Sequence, residues 1–182
     1  MTANPFAPPK AVVDDVVPAD SSIGQPAFFP VSIPKLVVLS ICTFGLYEVY
    51  WFYKNWQLIK ARERSSILPV PRAIFAVFYC YACFARVRDF DAPGLPEPKL
   101  AAGLLAAAWI VLTLLQRLPD QYWLISFLAV APILPVQNVA NRINASISPG
   151  HDRNAKFTGW NWVVIAIGIC VLVLAVIGSF LP

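Results

Sequence analysis

The chain reads as an all-α, polytopic helical membrane protein of four spans plus one short re-entrant or tilted helix, with five full spans as the alternative. Three observations carry that expectation. No residue after Lys156 is formally charged, and residues 162–181 are almost wholly aliphatic. Two more uncharged runs lie between Asp120 and Arg142 and between Lys99 and Arg117. A helix needs about 20 apolar residues to cross the roughly 30 Å hydrocarbon core of a bilayer. Composition agrees, with 58% hydrophobic and 13% charged residues, where a soluble domain carries roughly 25% charged.

Residues 1–30 hold Pro5, Pro8, Pro9, Pro18, Pro26 and Pro30 together with Asp14, Asp15 and Asp20. Proline blocks helix and removes backbone donors. With little apolar surface to bury, 1–30 is expected to be a disordered tail, leaving 31–182 as the helical transmembrane domain. It is not a signal peptide, which would place an apolar core directly after a basic start.

Segment one covers about 31–53 and includes Lys35 and Glu48. It ends in dense aromatics followed by positive charge, the pattern of a membrane–water interface. Residues 57–64 contain no breaker, so the helix is expected to run on to Arg64, before Pro69 and Pro71 stop it. Segment two is short: residues 73–85 alone separate Arg72 from Arg86. At 1.5 Å per residue that is about 20 Å, less than the hydrocarbon core. Either the two arginines snorkel or the segment enters and leaves on one face.

Segments three (100–118) and four (122–139) are joined by Pro119-Asp120-Gln121, which makes them an antiparallel hairpin. Ala102, Gly103, Ala106 and Ala107 give segment three a small-residue face that lets helices approach closely. Pro132 and Pro135 are expected to kink segment four. A polar loop, 146–156, leads to segment five, which opens with Trp160-Asn161-Trp162.

Basic residues on the cytoplasmic side set orientation. If segment two does not cross and the N-terminus is outside, eleven of fourteen Lys and Arg face the cytoplasm, and both termini lie outside. If all five segments cross, that number falls to six or eight.

The stretch Thr43-Phe44-Gly45-Leu46-Tyr47-Glu48-Val49-Tyr50-Trp51-Phe52-Tyr53-Lys54-Asn55-Trp56 resembles the signature of a family of small multi-pass bacterial membrane proteins. That family is the domain of unknown function numbered forty-two thirty-four. Asn4-Pro5-Phe6-Ala7-Pro8-Pro9 is similar to the opening of various bacterial inner-membrane proteins, with Phe6 in place of a tyrosine. The resemblance implies a multi-pass bacterial inner-membrane location. It brings no activity, cofactor or catalytic residue.

Glu48 is the sharpest candidate for chemistry, because a carboxylate at membrane depth is costly and has a partner or a task. Glu48, Asn55 and Arg62 are each seven apart and share one helical stripe. Such a carboxylate contacts an ion, a proton or a polar substrate, or else it snorkels or pairs structurally. The exit of segment four carries Gln137, Asn138, Asn141 and Asn144. Gln137, Asn141 and Asn144 fall on one face at spacings of four and three. Amides there line a solute path or act as glue between helices.

Other chemistries lack their parts. Cys80 and Cys83 form a C-x-x-C inside an apolar segment, where they read as small apolar residues rather than a redox or metal pair. His151, the single histidine, has only Asp152 beside it as a further ligand. No phosphate-cradling or dinucleotide glycine pattern and no nucleophile elbow occurs. The basic linker 54–72 signals topology, or attracts anionic lipid. No basic face adjoins a soluble fold, which excludes nucleic acid. The expectation is a non-enzymatic inner-membrane component without catalytic residues, cofactor or metal. Its partners would be the lipid bilayer and a second copy or another membrane protein. The alternative is a small transporter or channel in which Glu48 and Gln137, Asn138 and Asn141 line a polar path.

Overall fold

The computed structural model describes residues 25–96 and 98–180, which are helical with no strand among them. The order is α1 (Ile33–Cys42), α2 (Leu46–Glu63), α3 (Pro69–Ile74), α4 (Ala76–Arg88) and α5 (Ala102–Leu114). A 3-10 turn (Leu115–Arg117) and a 3-10 helix (Asp120–Ala129) follow, then α6 (Val130–Ile147) and α7 (Gly159–Phe180). Two helical stretches, Gln121–Ile147 and Gly159–Phe180, are long and apolar enough to cross a membrane.

Segment one is not the continuous helix expected from its sequence. α1 stops after ten residues, and Thr43-Phe44-Gly45 reverses the chain. Phe44 and Gly45 both take left-handed backbone, at φ 52° and 83°. Glycine adopts that region freely, whereas Phe pays a steric penalty there. The reversal is held by the Gly45 N–H, which donates to Ser40 O at 2.9 Å. The Thr43 hydroxyl ties both arms, donating to Leu39 O at 2.7 Å and accepting from the Tyr47 N–H at 2.9 Å. α2 then runs back alongside α1, bringing Asn55 to Phe29 and Arg62 to Ala27.

Segment two also turns back. α3 and α4 are separated by Phe75, whose ψ of 38° leaves the helical region. The guanidinium carbons of Arg72 and Arg86 lie 4.6 and 5.2 Å from the centroid of one ring, that of Trp56. Residues 73–85 therefore go out and return to the same end of α2. Arg86 also donates to Glu63 at 2.9 Å.

The core forms where α2, α4, α5 and α6 meet residues 27–31. Trp51, Phe52, Trp56, Phe84 and Ile133 are fully buried. The Phe52 ring stacks on Phe84 with centroids 5.9 Å apart and meets Trp109 edge-on at 4.9 Å. The aromatics expected to mark an interface are thus partly core, because Trp51, Phe52 and Trp56 belong to the buried series Glu48, Trp51, Phe52, Asn55, Trp56 and Ile59, which repeats at spacings of three and four along α2. Ala102 and Ala106, half of the small-residue face, are buried as well, while Gly103 and Ala107 are exposed.

The tail boundary expected at residue 30 also moves. Ala27, Phe28, Phe29 and Val31 are buried in the main core, so the folded unit begins before them; residues 1–24 lie outside the described residues. α7 is bound far more thinly. A small cluster of Leu39, Cys42 and Ile165 joins it to α1, and 11% of its apolar stretch is buried. At Gly168 the helices nearly touch, since a Cβ there would lie 2.0 Å from Cys42 O.

Candidate functional site

The α2 stripe of Glu48, Asn55 and Arg62 is buried at Glu48 and Asn55 and reaches the exposed end of the helix at Arg62. Each member does something different. Arg62 donates to Ala27 O at 2.9 Å and lies over the rings of Phe28 and Phe90. Asn55 accepts from the Phe29 N–H at 3.1 Å. Glu48 stands at the other end, in the first turn of α2, beside the reversal.

The amides of α6 converge on the same extended segment, 28–31. Asn144 forms a two-bond pair with Phe28, accepting from its N–H at 3.1 Å and donating to its carbonyl at 2.8 Å. Gln137 donates to Phe29 O at 3.0 Å and accepts from the Trp51 indole. Asn141 donates to Val31 O at 2.9 Å and accepts from Gln137 at 2.8 Å. An extended chain has no internal partners for its N–H and C=O groups, and burying them unpaired costs about 1–3 kcal/mol each. The amides supply those partners. They do not meet Glu48. Asn138 is not in this set: it is exposed on the other face of α6, because its position next to Gln137 rotates it about 100° away.

Glu48 occupies a separate site. It is 5% exposed, and Trp109 Nε1 donates to its Oε2 at 2.7 Å. Among the described residues Oε1 accepts no hydrogen bond and the carboxylate has no ion pair. A cavity of about 190 Å³ lies here, between the reversal at Phe44–Leu46 and the α3–α4 break at Ala73–Val77, and Trp109, Thr113 and Phe127 also line it. Ser40 and Thr113 line it, and each carries a buried hydroxyl with no hydrogen-bond partner among the described residues. Ser40, Trp109 and Thr113 were not singled out in the sequence, where nothing about an isolated Ser, Trp or Thr marks proximity to Glu48. The tip of the reversal is held from outside by Gln116, which donates to Phe44 O at 3.3 Å, and by stacking of Phe44 on Trp123.

A larger open cleft, about 610 Å³, sits at the opposite end of α4 and is lined by Arg88, Asp89, Asp91, Lys99 and Arg142. Its charges are mixed. Arg88 donates two bonds to Asp89, and this holds the Asp89 carboxyl below the usual carboxylate range. Cys80 and Cys83 are both buried free thiols in α4. His151 lies in the loop after α6 with Nδ1 2.6 Å from Ser148 O. Buried Lys35 fastens that loop to α1 through Asn154 Oδ1 at 2.7 Å and Lys156 O at 2.8 Å. Among the described residues no three His, Cys, Asp or Glu gather as metal ligands.

No family model matches this chain, and no curated protein or solved structure matches it either.

Proposed function

We propose that the chain is a multi-pass membrane protein of the small transporter or channel class, taking a small polar solute or ion into the cavity at Glu48. The two long apolar stretches, Gln121–Ile147 and α7, cross the bilayer, and so does the shorter α5, which its 3-10 turn extends to about 25 Å. Two helical hairpins, α1–α2 and α3–α4, enter and leave on one face. The length of α1 supports this for the first hairpin, because at about 15 Å it reaches only half the hydrocarbon core. The distribution of charge supports it too. Lys35, Arg62, Arg72, Arg86 and Arg142 gather with residues 27–31 and the loop after α6, and positive charge marks the cytoplasmic face. In this arrangement the described N-terminal residues are cytoplasmic.

The observation that carries the functional reading is the cavity meeting a buried, unpaired carboxylate at the tips of both hairpins. Irregular backbone at membrane depth is tolerated where it is buried in protein or lines a polar cavity. Association with a partner gains less support, because the amides and half of the small-residue face already serve internal contacts. The resemblance of residues 43–56 to the uncharacterised bacterial family falls on the reversal and on Glu48.

The test is reagent access. In a cysteine-free background in membranes, Thr113→Cys should react with a small methanethiosulfonate reagent, while Ile133→Cys, in the closed core, should not. Equal inertness of the two would remove the reading.

A further inference from the structure

We propose that the Glu48 cavity binds a small monovalent metal cation; this rests on the cavity reading above. The lining contributes one carboxylate and no Lys or Arg, so one positive charge completes it. A divalent ion would call for more carboxylates, as hard divalent cations gather several oxygen ligands. The oxygens are available. Trp109 occupies Glu48 Oε2 alone, leaving Oε1 open. The Ser40 and Thr113 hydroxyls are buried without partners among the described residues, and Ser40 is 2% exposed. A buried hydroxyl without a partner is rare and requires a reason; two beside an unpaired carboxylate have a common one in a bound cation.

An anion is excluded on two grounds. Glu48 repels it, and the first-turn donors of α2, which would otherwise attract it, are already engaged. Leu46 N–H donates to Thr43 O at 3.1 Å, Tyr47 N–H to the Thr43 hydroxyl at 2.9 Å and Glu48 N–H to Gly45 O at 3.0 Å. The cavity has room for a cation with some of its water.

The experiment is thermal unfolding of the purified full chain in nanodiscs at fixed ionic strength, replacing N-methylglucamine chloride stepwise with lithium, sodium or potassium chloride. One alkali cation should raise Tm saturably, by several degrees at saturation, as for any ligand that binds only the folded state. Glu48→Gln, which keeps an acceptor for Trp109, should abolish the rise. Ser40→Ala should raise the half-saturating concentration about tenfold, the effect of roughly 1.4 kcal/mol. The proposal is overturned if no alkali cation differs from N-methylglucamine at fixed pH, or if the rise persists unchanged in Glu48→Gln. Should Glu48→Gln fail to fold, an unchanged half-saturation in Ser40→Ala overturns it equally. A reactive Thr113→Cys without any cation effect removes the cation and keeps the cavity; an inert Thr113→Cys removes both.

Discussion

Asn144 and Asn138 sit six residues apart on one helix and have opposite roles. Asn144 is fully buried and satisfies both backbone groups of Phe28. Asn144→Leu would leave an N–H and a carbonyl unpaired in the core, at about 1–3 kcal/mol each. Asn138→Leu, on an exposed face, should change stability by less than about 0.5 kcal/mol. Unfolding of the two variants in micelles separates them, and equal effects would contradict the geometry. The shared face of Gln137, Asn141 and Asn144 was legible from their spacing. What they hold was not, because their partners are backbone groups more than a hundred residues away, and backbone leaves no mark in the side-chain pattern. The same limit applies to Glu48. Its place on one stripe with Asn55 was legible, but its burial was not, because its neighbour Trp109 is 61 residues distant.

Among the helices, the shortness of residues 73–85 could be read, but breaks decided by a backbone angle could not: α2 ends at a left-handed Arg64, Pro69 opens α3 rather than stopping α2, and Pro135 lies inside α6. Residues 73–85 are too short a run to cross, and the helix there breaks at Phe75. The reversal at 43–45 was hidden, because a single glycine in an apolar run reads as helix and Phe44 gives no sign of its positive φ. Gly45→Ala should therefore destabilise by about 1 kcal/mol from backbone conformation alone, although space for the methyl group is open. Gly168→Ala fails for the opposite reason. Its φ is ordinary, but the new methyl meets the Cys42 carbonyl, so α7 must shift away from α1. Hydrogen exchange should then quicken in α1 and α7 while α2 keeps its protection, since Trp51, Phe52 and Trp56 belong to the other cluster. Uniform loss of protection, or none, would show that this contact does not join the two.

For the molecule as a whole, the proposed arrangement makes a sidedness prediction that differs from the one the charges alone implied. With two hairpins returning to the basic face, the described N-terminal residues and the C-terminal helix end lie on opposite sides. In a cysteine-free background, single cysteines replacing Gln25, Asp89 and Asp152 should resist an impermeant thiol reagent on intact cells. Cysteines replacing Gln121, or placed in a C-terminal extension, should label. Labelling at Gln25 with protection at Asp89 would restore a crossing by segment one. The helical class and the apolar stretches were plain in the sequence because composition alone sets them. The paths of residues 33–63 and 69–88 were not, since they depend on two turns whose local signals are weak.

The clamp on residues 28–31 has a consequence for biogenesis. A ribosome delivers Phe28 and Phe29 early, and Asn55 follows soon after to take the Phe29 N–H, yet Gln137 and Asn144, which take the Phe29 carbonyl and both Phe28 groups, emerge 108 and 116 residues later. At roughly 5–20 residues per second this is a wait on the order of 5–20 s. During that interval the first hairpin is incomplete, with two buried-to-be phenylalanines and their backbone still facing water or the translocation machinery. Closure of the N-terminal segment is thus a late event, and arrest of synthesis before α6 should leave it open to protease.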